Sequence, residues 1–203
     1  TQALRLKLQA TRLAQQPMEA LKTARLLAKH QGFSKVAAVG LLRSLAFEAI
    51  EEGRDVDQVR RIWEQFDAAD RRDAFVASRA ASRIAQLGAP EVGRLWLRPF
   101  WDAIDETTGE DREVLAHGLV ACVAGIGADW LPRLEAAWQT HPRDAAIAFA
   151  TGCALAERQL WGKAAQLLGP ASHSPREPAL PRRTWCASST LADERGDEAS
   201  AHA

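Results

Sequence analysis

The chain matches itself at a fixed shift. Val114, Gly118 and Ala137 recur 34 residues later as Ala148, Gly152 and Ala171, and Pro142 recurs within a residue of that register at Pro175. A period of this length with small residues at fixed offsets points to paired helices. One such pair cannot bury its apolar face alone, so successive pairs must stack.

Composition agrees with a helical chain. Ala and Leu, both good helix formers, dominate, β-branched residues are sparse, and no segment alternates with period two. The expected fold is all-α, a TPR-like (tetratricopeptide-like) α-solenoid: a right-handed superhelix of helical hairpins, the first helix of each on the concave side. Setting small residues in register divides 1–203 into repeats near 1–39, 40–73, 74–110, 111–144, 145–179 and 180–203. Ala81, Gly118, Gly152 and Ala187 then share one position on first helices, Gly93 and Ala164 one on second helices. Small residues there let two helices approach closely. Trp130 stands where Gly93 and Ala164 do, so its hairpin is expected to splay. The chain has no Tyr, so Phe and its seven Trp must fill the hairpins.

The punctuation predicts helices near 1–15, 17–30, 34–50, 55–66, 73–87, 90–104, 110–124, 129–140, 144–157 and 160–172, with a last pair at 181–195 and 197–203. Pro17 suits a helix start, Gly32 and Gly53 a stop, and Ser34 and Asp55 or Asp57 an N-cap. In the helix after Asp55, Val59, Ile62, Trp63 and Phe66 are expected inward. Proline gathers only in 169–183, which reads as an inter-repeat loop or a short proline-rich ligand.

Charge excludes a globally basic or acidic partner surface. Lys and Arg number 26, as do Asp and Glu, for a net charge of zero. Nucleic acid is not expected as a partner, since it wants a continuous basic track. No apolar run is long enough to span a bilayer. The start at Thr1 reads as mid-helix, so the sequence is taken as a fragment of a longer chain.

Reaction chemistry leaves little trace. HExxH, GxSxG, a phosphate-binding glycine loop and an EF-hand loop are all missing. Cys122, Cys153 and Cys186 sit at one level on successive first helices, and no CxxC accompanies them. They read as small core residues, or as a thiolate row able to hold a metal or haem. His30, His141 and His173 fall at helix C-termini, where the helix dipole favours imidazolium; His117 lies within a first helix. Asp102, Asp105, Glu106, Glu110 and Asp111 cluster around a helix junction, which reads as a solvated junction and cap, or as a surface that attracts a cation or a basic partner. No catalytic residues and no metal ligands are assigned.

The expected binding surface is the groove of the first helices. In this register they direct Arg5, Gln9, Arg12, Ser44, Ser78, Ser82, Leu115, Leu119, Phe149 and Cys153 toward it. Its N-terminal part is polar and partly basic, its C-terminal part apolar. That split suits an amphipathic segment of a partner protein, or the propionates and ring of a porphyrin.

The run Ala156-Glu157-Arg158-Gln159-Leu160-Trp161-Gly162-Lys163-Ala164 with Leu167-Leu168 resembles the C-terminal TPR segment of HemY-type proteins of proteobacteria. So do Leu4-Arg5-Leu6 with Glu19-Ala20-Leu21, Asp67 to Asp73 with Arg71-Arg72, and Trp130 to Ala137 before His141-Pro142. The resemblance covers most of 1–170. It implies an N-terminal hydrophobic hairpin in the inner membrane, this part on the cytoplasmic side, and a role beside early haem-pathway enzymes. The name is shared with an unrelated protoporphyrinogen oxidase, whose GxGxxG flavin site this sequence lacks; oxidase activity is not carried over. The expected function is a non-catalytic scaffold for protein partners, with haem-pathway enzymes as the candidates. The alternative is direct porphyrin or haem binding, or an enzyme of tetrapyrrole metabolism.

Overall fold

The structure, a computed structural model, describes residues 2–30 and 32–171. Among these there is no strand, and they form eleven α-helices. They are α1 (Gln2–Leu13), α2 (Pro17–Lys29), α3 (Lys35–Glu52), α4 (Val56–Gln65), α5 (Ala68–Arg71), α6 (Ala74–Gln86), α7 (Pro90–Asp102), α8 (Gly109–Ala121), α9 (Leu131–Thr140), α10 (Ala145–Glu157) and α11 (Trp161–Ala171). The helices expected up to 172 are present with ends shifted by a few residues. The last pair, repeat 180–203, His173, Trp185, Cys186 and Ala187 lie outside the described residues, as does most of the proline-dense stretch.

Caps set the boundaries. Ser34 accepts from Ala37 N and Asp55 from Gln58 N, satisfying first-turn donors. Thr108 and Asp111 form a reciprocal capping box on α8. Pro17 and Pro90 open α2 and α7, where a missing N–H costs nothing. Gly88 turns α6 into α7 at φ +98°, and at the equivalent turn into α11 Gln159 adopts φ 59°. Left-handed backbone is cheap for glycine and costly for glutamine.

Packing runs from neighbour to neighbour. α1 packs on α2, α2 on α3, α3 on α6, α6 on α8 and α8 on α10, while α7 lies against α6 and α11 against α10. The buried side chains follow that order. Leu8, Leu21, Leu27, Leu45, Ile50, Phe66 and Val76 bind the N-terminal helices to α6. Leu97, Trp101, Leu115, Leu119, Trp130, Leu134 and Ile147 then join α6 through α10. Phe149, Leu155, Ala164 and Leu168 close α10 on α11.

The small residues mark where backbones nearly touch. A methyl on Gly93 would lie 2.8 Å from the Ala81 carbonyl oxygen and 2.5 Å from Cys122 Sγ. On Gly152 it would lie 2.8 Å from the Leu168 side chain. Both are approaches of a helix to its own partner. Gly118 differs: its methyl would meet Ser78 at 3.0–3.1 Å, so α8 leans on α6 rather than on α9. Trp130, at the position of Gly93 and Ala164, is buried in the 3-10 turn before α9, and α9 is held chiefly by α10.

One polar device appears twice. Asp73 caps α6 through Oδ1 and accepts from Arg43 Nε at 2.8 Å through Oδ2. Asp144 caps α10 in the same way and accepts from Arg112 Nε at 2.8 Å. Each aspartate thus satisfies its own helix start while tying an arginine of the preceding first helix to it.

Candidate functional site

The expected groove residues do not form one surface. Arg5, Gln9 and Arg12 are exposed on α1, with Arg5 donating to Gly32 O at 3.2 Å. Ser44 is exposed on α3 and donates to Glu48; Ser82 and Cys153 are half-buried. Ser78, Leu115, Leu119 and Phe149 are buried, Leu115 and Leu119 completely, and so cannot line an open groove. The reason is that α8 is packed between α6 and α10, which covers the faces left free in a two-helix picture of the repeat. Apolar bulk at those heights is core.

The other singled-out residues have structural partners. Cys122 is fully buried, and its thiol contacts the Ala81 carbonyl at 3.3 Å. Burial pushes its pKa up to about 12, against a smaller opposing pull from Arg94. A thiol so placed is an inert core group. His141 Nε2 sits 3.1 Å from Asp105, and Asp102 pairs with Arg133. Asp111 belongs to the capping box, so the acidic junction is tied into helix ends. His30 lies at the C-cap of α2, and His117 is half-buried in α8. Among the described residues, no three of His, Cys, Asp and Glu gather as a metal site would require. No helix among them is long and apolar enough to cross a membrane.

The buried arginine is a fastener. Arg94 on α7 donates to the carbonyls of Cys122 (2.5 Å), Ala124 (2.6 Å) and Gly125 (3.3 Å). These are the orphan acceptors at the C-terminal end of α8 and its following turn. Gly125 N in turn donates to Glu157 of α10 at 2.8 Å. A small cleft lies beside Arg94, but the guanidinium is already spent.

A cleft with a volume of about 720 Å³ lies between α4, α5 and α7. Its floor is aromatic. Trp63 of α4 stacks on Trp96 of α7 with centroids 4.7 Å apart and planes at 19°, and meets Phe66 edge-on. Pro99, Phe100 and Leu95 extend the apolar wall, and Leu95 is 63% exposed. Pro99 has no N–H to give the Leu95 carbonyl one turn earlier, which leaves that carbonyl without its helical donor. Arg71 and Arg72 stand on one lip and Glu106 on another.

The short helix α5 positions the arginines. Asp67 caps it, and Asp70 turns inward, 4% exposed, to receive the Arg25 guanidinium from α2. Burial raises the Asp70 carboxyl even with Arg25 bonded to it. Arg25 also lies 4.0 Å from Asp67. Asp67 and Asp70 thus face Arg25, while Arg71 and Arg72 are exposed.

Sequence reasoning missed this cleft because α5 has too few residues to show a period. The available signal was that Trp63 and Trp96 stand 33 residues apart, about one repeat, on successive second helices. Comparison of the chain with family models, curated proteins and solved structures gives no match.

Proposed function

We propose that the protein is a stacked-hairpin, TPR-like scaffold that binds protein partners and carries out no reaction of its own. The observation that carries this reading is the aromatic and basic cleft between α4, α5 and α7. It presents Trp and Arg, the residue types that dominate protein-binding hot spots: the indoles are half-buried against the core with the remainder lining the cleft, and the arginines are exposed. The solenoid reading is supported by the succession α3, α6, α8, α10, by the Trp63–Trp96 stack one repeat apart, and by the recurring arginine–N-cap aspartate tie. The handedness and the concave placement of first helices are proposed with it.

The HemY-type resemblance supplies the setting. We place the scaffold beside early haem-pathway enzymes at the cytoplasmic face of the inner membrane, tethered through an N-terminal segment. The test is affinity capture with the full-length protein, read against those enzymes one by one. Capture of at least one, lost when the described domain is deleted, is the expected result; capture of none overturns the reading.

A second reading draws on the same cleft. A stacked indole floor beside two guanidinium groups also suits a planar dicarboxylate such as a porphyrin. Porphyrin titration with a Soret shift sensitive to Arg71 and Arg72 would favour that reading.

A further inference from the structure

We propose that the cleft between α4, α5 and α7 is the docking site for an acidic segment of a partner protein that carries apolar anchors. The inference rests on the scaffold reading and makes it specific. Three features of the cleft select the occupant.

Charge is the first. Arg71 and Arg72 lie exposed on the lip formed by α5, while Asp67 and Asp70 are drawn toward Arg25. Among the described residues, neither Arg71 nor Arg72 has a carboxylate partner. An incoming carboxylate finds two exposed arginines at successive positions at the end of a capped turn, both lining the cleft. Bidentate geometry makes arginine the better cation for that role.

The apolar floor is the second. Trp63, Trp96, Pro99 and Phe100 form a continuous surface with Leu95 projecting beside it. Aromatic and aliphatic anchors of a partner would displace water from it, and burial of apolar area contributes the main part of such binding.

The third is polarity along the cleft. Leu95, whose carbonyl lacks its helical donor, lines the cleft together with Glu106. With Arg71 and Arg72 against the single Glu106, the charged lining favours a segment that brings carboxylates.

The test uses the described chain and a designed peptide of about 14 residues with Leu and Phe at helical i, i+3, i+4, i+7 spacing and Glu elsewhere. Binding is read by tryptophan fluorescence and calorimetry. The expected result is saturable binding that falls at least ~10-fold in Arg71→Glu/Arg72→Glu and weakens with salt. Leu95→Ser should reduce it about threefold or more, since an exposed apolar contact is lost. Arg60→Glu/Arg61→Glu on exposed α4 positions outside the cleft should leave it unchanged. Circular dichroism checks that each variant is folded. The proposal is overturned if Arg71→Glu/Arg72→Glu binds the peptide like the wild type, or if a Lys-for-Glu peptide binds equally well. It is also overturned if protoporphyrin binds with dependence on these arginines while the peptide does not. Retained enzyme capture by full-length Arg71→Glu/Arg72→Glu would remove the docking site and leave the scaffold standing. Loss of capture by the wild type removes the scaffold itself.

Discussion

Two glycine-to-alanine changes should move stability in opposite directions. In a helix interior alanine is favoured over glycine by about 0.5–1 kcal/mol, mainly through backbone entropy. Gly40 in α3 is exposed, and an added methyl would meet nothing within 4 Å. Gly40→Ala should therefore gain that amount. At Gly93 the same gain competes with a clash. The new methyl would sit 2.8 Å from the Ala81 carbonyl oxygen, 3.2 Å from Ala81 Cα and 2.5 Å from Cys122 Sγ. Two of these are backbone atoms, and the third belongs to a fully buried side chain. None can swing aside, so α6 and α7 must part. Overpacking of this kind costs about 1–3 kcal/mol, and rigid neighbours favour the upper end. The net loss at Gly93→Ala is then about 1–2 kcal/mol, and the two variants differ by about 2–3 kcal/mol. For a chain of this size that separates their melting temperatures by about 4–12 °C. Urea denaturation with matched slopes measures the difference directly. If Gly93→Ala proves as stable as Gly40→Ala, the close approach of α7 to Ala81 is wrong.

Three further outcomes follow from single side chains. Arg94→Met should cost about 2–4 kcal/mol in chemical denaturation, since it orphans the buried Cys122 carbonyl and frees two others to water; unchanged stability would refute the clamp. Cys122, its thiol raised to about 12 by burial, should resist iodoacetamide at about pH 8 until the chain unfolds, as read by peptide mass mapping. Native-state labelling of Cys122 would contradict its placement. Asp70 has a folded-state pKa above its ordinary value, so the folded chain keeps that proton to higher pH than the unfolded chain does. Its contribution to stability is present below the ordinary aspartate pKa and lost as pH rises through the raised one. Urea titrations should show the wild type losing stability relative to Asp70→Asn across that window; a relative gain would show that the Arg25 pair outweighs burial.

The elements were legible because their signals are local. Pro17, Ser34, Asp55 and Gly88 each act within one turn of chain, and a 3.6-residue stripe survives whatever packs against it. The pairing of Gly93 with α6 and of Gly152 with α11 was legible too, since smallness at a repeated offset has few other causes. The surface was not. Leu115, Leu119 and Phe149 were read as groove-facing because one hairpin seen alone leaves that side open. Only the third neighbour, α6 or α8 as the case may be, decides that it is core. Gly118 misled for the same reason, being small toward the preceding helix instead of toward its own partner. The cleft depends on a four-residue helix whose aspartate is drawn inward by Arg25, 45 residues earlier, and a coupling of that range leaves no periodic trace.

The grip on residues 122–125 has a consequence for how the molecule comes apart. Arg94 reaches this turn from the pair before it and Glu157 from the pair after it, so the end of α8 belongs to three successive units at once. A hairpin tied only by nearest-neighbour apolar contact can fray as a unit. Here the last turn of α8 cannot open unless α7 or α10 also gives up hydrogen bonds, so α7, α8 and α10 share one opening free energy. α9 sends no hydrogen bond to that turn; it is held to its neighbours through the shared apolar core around Trp130, Leu134 and Ala137, so its opening is governed by burial instead of by the Arg94 and Glu157 grip.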